Sequence, residues 1–239
     1  MKNGKWLLVA AALLLCFAPC AVAQDTLDLT SAGNNIMGNV YVGPYTATID
    51  NSPGNQIICT DFADESKINA PWPATANTFS SIGNTLWGQV WGVSTATIMY
   101  EEAAWLTVQM LSGKYGATDI GYMSYAIWYI FDATKINGGV TAYLNTLGAT
   151  GQTIMAGLLQ WVTKAQNGYS SLTASQLASF KIYTPQGCTV PGTCQSQEFF
   201  KMEVPEGGSA ALYLLLAGVS CLGAIFFRSR GHRAKPGMA

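Results

Sequence analysis

Two regions of the chain show the alternation of bulky and small side chains that is typical of β-strands. The first covers 45–49 and 56–62, which we predict to be two strands joined by a turn at 51–54. The second covers 180–184 and 197–203, close to the C-terminal end of the polar part of the chain. Strands are therefore expected at both ends of this part, with a different pattern between them.

Between these regions, apolar residues recur three or four positions apart, as on one face of a helix. The pattern predicts helices over 101–112, 120–130 and 153–166, with Asp119 as the N-cap of the second. Thr173 to Gln176 has the spacing of a capping box and predicts a short fourth helix. Residues 64–97 are predicted to be a long loop. The fold class expected is α+β, a small β-sheet or barrel with an inserted helical block.

Uninterrupted apolar stretches mark both ends of the chain. Two lysines precede the apolar residues 6–16, and Ala21-Val22-Ala23 matches an A-x-A cleavage site, so 1–23 are predicted to be a signal peptide cut by signal peptidase. Residues 210–227 carry no charge, and at 1.5 Å per residue they measure roughly 27 Å, which suits one transmembrane helix. The basic residues 228–235 follow. Because basic flanks stay in the cytoplasm, residues 24–203 are expected to form an extracytoplasmic domain.

The C-terminal segment 204–235 combines a short motif, the apolar span and an arginine-rich end. The motif is Val204-Pro205-Glu206-Gly207, and the arginines are Arg228, Arg230 and Arg233. This arrangement resembles the PEP-CTERM sorting signal of biofilm-forming Gram-negative bacteria, although the Gly-Gly-Ser continuation over 207–209 departs from the commoner Pro-Ser-Thr. The resemblance implies an exosortase-type membrane transpeptidase as partner. The chain would be held in the inner membrane, then cut and passed to the cell surface or extracellular matrix.

Charge and missing residue types restrict what the displayed domain can do. Residues 24–206 contain six lysines and thirteen acidic residues, a formal charge of −7, so no basic nucleic-acid surface is expected. They contain no histidine and no arginine. This excludes Ser-His-Asp and Cys-His catalysis, histidine-ligated metals and bidentate arginine clamps. We therefore expect no catalytic residues, no metal site and no cofactor.

Three of the six cysteines lie outside the signal peptide and the span. Cys188 and Cys194 flank a turn-rich stretch and are predicted to form a disulfide in an oxidising compartment. Cys59 is then left over. An unpaired cysteine in an exported protein is a buried inert thiol, an intermolecular link or a reactive group.

Three short sequences resemble the thioester domains of bacterial surface adhesins: Ile58-Cys59-Thr60-Asp61, Tyr125-Ala126-Ile127-Trp128 and Gln197-Glu198-Phe199-Phe200. The resemblance covers 40–200 and implies a β-barrel with a helical insertion. It also implies that Cys59 condenses with the Gln197 amide to form an internal thioester, with Gln195 as the alternative acyl donor. Met123 and Ser124 stand where the family has Thr and Gln.

Two groups of acidic residues supply further hypotheses. Asp61, Asp64 and Glu65 are candidates for a calcium site, and Asp61 with Glu101-Glu102, expected at a helix start, for general acid–base catalysis. The function expected is an exported, non-enzymatic envelope or matrix protein with an adhesive or structural role, binding extracellular polysaccharide or surface proteins. The alternatives are a covalent adhesin using Cys59 and Gln197, and a carboxylate-dependent enzyme acting on extracellular polysaccharide.

Overall fold

The computed structural model describes residues 24–132 and 139–203, apart from the side chain of Asp132. The strands in this part of the chain are β1 (Gln24–Ser31), β2 (Ile36–Met37), β3 (Val40–Tyr41), β4 (Tyr45–Ile49), β5 (Ser52–Cys59), β6 (Trp72–Asn77), β7 (Phe180–Pro185) and β8 (Phe199–Met202). The α-helices are α1 (Leu86–Trp91), α2 (Val93–Leu111), α3 (Ala117–Asp132), α4 (Gly139–Thr146), α5 (Ala149–Gly168) and α6 (Ala174–Ala178). Short 3-10 helices cover Phe79–Asn84 and Tyr169–Ser171.

Six strands form a closed antiparallel barrel in the order β1-β4-β5-β8-β7-β6, and β6 pairs with β1 to complete the ring. Strands β2 and β3 form a separate hairpin. All six α-helices lie in sequence between β6 and β7. The predicted α+β class, a barrel with an inserted helical block, is confirmed.

The turn before β5 lies earlier than predicted. Ile49 pairs with Ser52, so the loop consists of Asp50 and Asn51, whose φ angles are +48° and +65°. Positive φ at both central positions is the requirement of a type I′ hairpin turn, and Asp and Asn tolerate it. Strand β5 therefore begins at Ser52 and ends at Cys59, short of the predicted residue 62.

The prediction of a loop over 64–97 was wrong. This segment contains β6, a 3-10 helix, α1 and the start of α2. Strand β6 has small residues in most positions, and Trp72 and Ala74 are the only apolar side chains in it that are buried. The alternation is thus too faint to recognise until pairing with β1 and β7 fixes it.

Strand β8 is buried on both faces, which places the barrel directly against the helices. Phe199 faces Tyr45 and Trp72, with ring centroids 6.0 and 5.9 Å away. Phe200 faces the other way and stacks on Phe180 at 4.6 Å. Both phenylalanines are completely buried. The wall formed by β5, β8 and β7 therefore has the interior of the barrel on one face and the helices on the other.

Several predictions concern residues outside the described ranges: the signal peptide 1–23, the sorting motif from Val204, the span 210–227 and the basic end. Among the described helices, none combines the length and apolar character needed to cross a bilayer.

Candidate functional site

The pairing of β5 with β8 brings Cys59 and Gln197 to one place. Cys59, the last residue of β5, lies opposite Phe199. One more backbone hydrogen bond, from Thr60 N–H to Glu198 O at 3.0 Å, extends the ladder by a step. Gln197 is the next residue along, so its side chain projects where β5 has just ended.

Both side chains bind the same oxygen atom, the backbone carbonyl of Asp61. The Cys59 thiol donates to it at 2.9 Å, and the Gln197 amide Nε2 donates to it at 2.7 Å. The sulfur and the amide nitrogen therefore lie within two hydrogen-bond lengths of each other. A free thiol and a carboxamide are held side by side in an orientation that their positions in sequence do not reveal.

Aromatic rings surround this pair on the side of the helices. Trp128 on α3 lies 5.1 Å from Phe62 and 5.1 Å from Tyr125, and Phe62 lies 5.4 Å from Tyr143 on α4. Phe62 follows the shared carbonyl of Asp61 by one residue. These rings help to exclude water from Cys59, which is 1% exposed.

The β2–β3 hairpin covers the outer side of the aromatic rings. Tyr125 donates to the carbonyl of Met37 at 2.9 Å, and Tyr143 donates to that of Gly38. Gly38 has a φ of +57°, and a Cβ there would lie 2.8 Å from the Tyr125 hydroxyl oxygen. Glycine is thus required for the hairpin to lie this close to the site.

Burial raises the pKa of the Cys59 thiol well above its usual value, and the neighbouring Asp61 and Glu198 carboxyls act in the same direction. The backbone hydrogen bond at Asp61 and the indole of Trp128 oppose the shift by favouring the thiolate. The thiol is therefore protonated at neutral pH. The residue is buried away from reagents in solution, and the side chain that shares its hydrogen-bond acceptor is the Gln197 amide.

A set of polar contacts holds the segment before β8 against the loop after β5. Ser66 accepts from the backbone N–H of Gln197 at 3.0 Å, and its hydroxyl lies 2.6 Å from that of Ser196. Asp64 accepts the backbone N–H groups of Gly192 and Cys194, both at 2.9 Å. The position of Gln197 is therefore fixed from its own backbone and from the loop that precedes it.

That loop is closed by the predicted disulfide between Cys188 and Cys194, which the structure contains with the two Cα atoms 5.1 Å apart. This prediction is confirmed. The bridge shortens the free chain between β7 and Gln197, and Asp64 joins it to the Cys59 side of the site. Gln195, the alternative acyl donor, is exposed, whereas Gln197 is partly buried and bonded to Asp61.

Glu198 is fully buried next to Gln197, on the opposite side of the backbone. Its carboxyl accepts from the Leu86 N–H at 2.8 Å, from Thr184 at 2.6 Å, from Thr60 at 3.3 Å and from Tyr100. Burial raises its pKa, and these hydrogen bonds oppose the shift. The carboxyl thus joins the N-terminus of α1, the helix α2 and the strand β7 at one point, immediately beside the candidate acyl donor.

The acidic candidates are placed differently from the predicted calcium or catalytic groups. The Asp61 side chain is buried, its Oδ1 accepts the Ala63 N–H at 2.9 Å, and burial and Asp64 raise its pKa. Glu65 is exposed. The expectation that Glu101-Glu102 open a helix was wrong, because they lie inside α2, where burial raises the pKa of Glu102 to about 7.

Sequence reasoning gave no supporting role to four groups that hold the pair: the Asp61 carbonyl, Ser66, Asp64 and the Glu198 carboxyl. Most are serine or acidic residues in loops, which carry no pattern by themselves. The one available signal was Glu198, a charged residue directly before the apolar pair Phe199-Phe200. Ser124, which stands where the resembled family has Gln, donates to the Gly43 carbonyl at 3.3 Å and to Ile120 at 3.1 Å, so it ties α3 to the residues before β4.

No protein-family model matches the chain, and no curated protein matches it. Among solved structures it is similar to the N-terminal domain of the Streptococcus pyogenes pilus tip adhesin Cpa, with 12% sequence identity and a TM-score of 0.44. The similarity covers 78% of this chain and 96% of that one.

Proposed function

We propose that residues 24–203 form a covalent adhesin domain whose reactive group is an internal thioester between Cys59 and Gln197. The domain is used once for each bond it makes and is not an enzyme. The observation that carries the proposal is the shared carbonyl of Asp61, which holds the thiol and the amide together in a water-poor site.

Formation of the bond needs no co-reactant. The Cys59 sulfur attacks Cδ of Gln197, the C–S bond forms and the C–N bond breaks, and the thiol proton leaves with the amide nitrogen as ammonia. The product is an acyl group more reactive than the amide it replaces. The buried, aromatic surroundings protect it from hydrolysis until a target reaches it.

The target reaction follows from the same chemistry. A deprotonated lysine amine or a hydroxyl attacks the acyl carbon, the Gln197 acyl group is transferred to it as an amide or ester, and Cys59 leaves as a thiol. Surface proteins and extracellular polysaccharide both carry such groups. This reaction gives the adhesive role a mechanism, which a purely structural reading of the same domain lacks.

Display outside the cytoplasm is part of the proposal. The signal peptide and the C-terminal motif would export the chain, hold it in the inner membrane and present it to an exosortase-type transpeptidase. Its final location would be the cell surface or extracellular matrix. Support for this step comes from the sequence of the two ends alone.

Intact-mass measurement of the protein, purified without amines, tests the thioester. The expected mass is lower than the calculated mass by one ammonia, beyond the two hydrogens lost in the disulfide. Methylamine should then add to the protein once and remove the deficit. Cys59→Ala and Gln197→Ala should each lack the deficit.

Gln195→Ala is the matched control, because this exposed glutamine lies only two residues away. It should keep the deficit and the reaction with methylamine. A wild-type protein of unreduced mass would overturn the covalent proposal and leave the structural one. Loss of the deficit in Gln195→Ala but not in Gln197→Ala would move the acyl donor to Gln195.

Sorting has a separate test, in which Pro205 and Glu206 are both replaced by alanine. The full-length chain should then accumulate in the membrane fraction, because the transpeptidase no longer recognises it. A variant that is still trimmed and released would refute the sorting signal and favour a plain membrane anchor, without affecting the thioester.

A further inference from the structure

Three buried indole N–H groups in the described part of the chain make no hydrogen bond of normal geometry: those of Trp72, Trp87 and Trp128. An unsatisfied buried donor is unfavourable, and such groups are uncommon unless the site uses them. Trp128 differs from the other two in its neighbour, because its indole interacts with the Cys59 thiol and lowers the pKa of that thiol.

The indole of Trp128 is held firmly in this position. It is 2% exposed, and its ring lies against Phe62 and Tyr125 at 5.1 Å in each case. Phe62 belongs to the loop that carries the Asp61 carbonyl, so the indole and the Cys59–Gln197 pair are packed by the same segment. The indole N–H thus makes no hydrogen bond of normal geometry at rest, and it acts on the sulfur that must become negatively charged.

We propose that Trp128 is a catalytic residue, donating a hydrogen bond from Nε1 to the Cys59 sulfur whenever that sulfur carries negative charge. The proposal rests on the thioester function. A neutral thiol is a weak acceptor, so this contact is weak in the resting state and strengthens as the sulfur gains negative charge. Such a contact stabilises the transition state more than the ground state, which is the requirement for catalysis.

The contact serves the acyl transfer in both directions. As the C–S bond forms, the N–H stabilises the sulfur that attacks Cδ of Gln197 while its proton passes to the departing ammonia. When a target amine attacks the thioester, the C–S bond breaks, and the N–H stabilises the departing sulfur until it takes up the proton lost by the amine. Asp61 and Glu198 both disfavour negative charge on this sulfur, so a donor is needed to oppose them.

The test replaces Trp128 with phenylalanine and, in a second variant, with benzothienylalanine, which keeps the fused-ring shape but has sulfur in place of the N–H. Thioester formation after refolding and its opening by methylamine are followed by intact mass. Both rates should fall by about 10- to 100-fold in each variant, the size expected for losing a hydrogen bond to a charged group. Trp87→Phe, which removes another unsatisfied indole, should leave both rates unchanged.

The isosteric variant separates the hydrogen bond from packing, because it should unfold at the wild-type temperature even if Trp128→Phe does not fold. Wild-type rates in the benzothienylalanine variant would overturn the assignment of Trp128 and leave the thioester intact. Equal slowing by Trp87→Phe would also overturn it, since the effect would then be one of packing. A wild-type protein with no ammonia deficit would overturn the proposed function and this inference together.

Discussion

Replacement of Glu198 should be the most damaging single change outside the reactive pair. Its carboxyl joins α1, α2, β7 and the residue after β5, with Oε2 accepting from Leu86 N–H and Thr184 and Oε1 accepting from Thr60 and Tyr100. Hydroxyl groups can turn toward new partners, but the Leu86 N–H is fixed by its helix. The backbone donor is therefore the group whose loss of a partner matters most.

The magnitude follows from these contacts. Glu198→Ala leaves the Leu86 N–H buried without an acceptor and creates a cavity, so we expect the free energy of unfolding to fall by about 3 to 5 kcal/mol. Glu198→Gln keeps one oxygen for Leu86 N–H and Thr184 and presents its NH2 to the hydroxyl oxygens of Thr60 and Tyr100. Its loss should be only about 1 kcal/mol.

Urea unfolding of the purified protein, followed by tryptophan fluorescence, measures both changes. Glu65→Ala is the control, because this neighbouring glutamate is exposed and its removal should alter stability by less than about 0.5 kcal/mol. The alanine variant should also carry less thioester, since Gln197 is the adjacent residue. An alanine variant as stable as the glutamine variant would refute the reasoning, because the Leu86 N–H would then have found another acceptor.

Two further predictions concern the disulfide loop and Glu102. Replacing both Cys188 and Cys194 with serine should lower the free energy of unfolding by about 2 kcal/mol. Mass spectrometry should also show faster hydrolysis of the thioester. An unchanged hydrolysis rate would show that Asp64 holds the loop alone. The pKa of Glu102 is raised from 4.5 to about 7, so below pH 4.5 the side chain is protonated and costs the folded state no stability. As the pH rises through 7 the buried carboxyl ionises, and the free energy of unfolding falls. Glu102→Gln should therefore raise the free energy of unfolding by about 1 to 2 kcal/mol near pH 8 and change it little near pH 4. Urea titrations at the two pH values measure this, and equal effects at both pH values would contradict the raised pKa.

How far local pattern predicts structure differs between the two kinds of element. Helix α5 was recognised because Ile154, Leu158, Trp161 and Ala165 form one buried stripe, and the period of such a stripe is a property of neighbouring residues. Strand β6 was missed because its two alanines and its threonine show no strong alternation. Its identity depends on the strands on either side, which are distant in sequence.

The sequence by itself determined the composition of the domain, the position of a helical block between two regions of strands, the disulfide and the identity of the leftover cysteine. These depend on residue type and short spacing. Only the tertiary structure decided which glutamine meets Cys59. Gln195 and Gln197 are equivalent to any local rule, but the register of β5 with β8 and the bonds from Ser66 and Asp61 turn one inward and leave the other exposed. Register is set by pairing between distant strands, and a carbonyl bound by two side chains at once exists only after that pairing has formed.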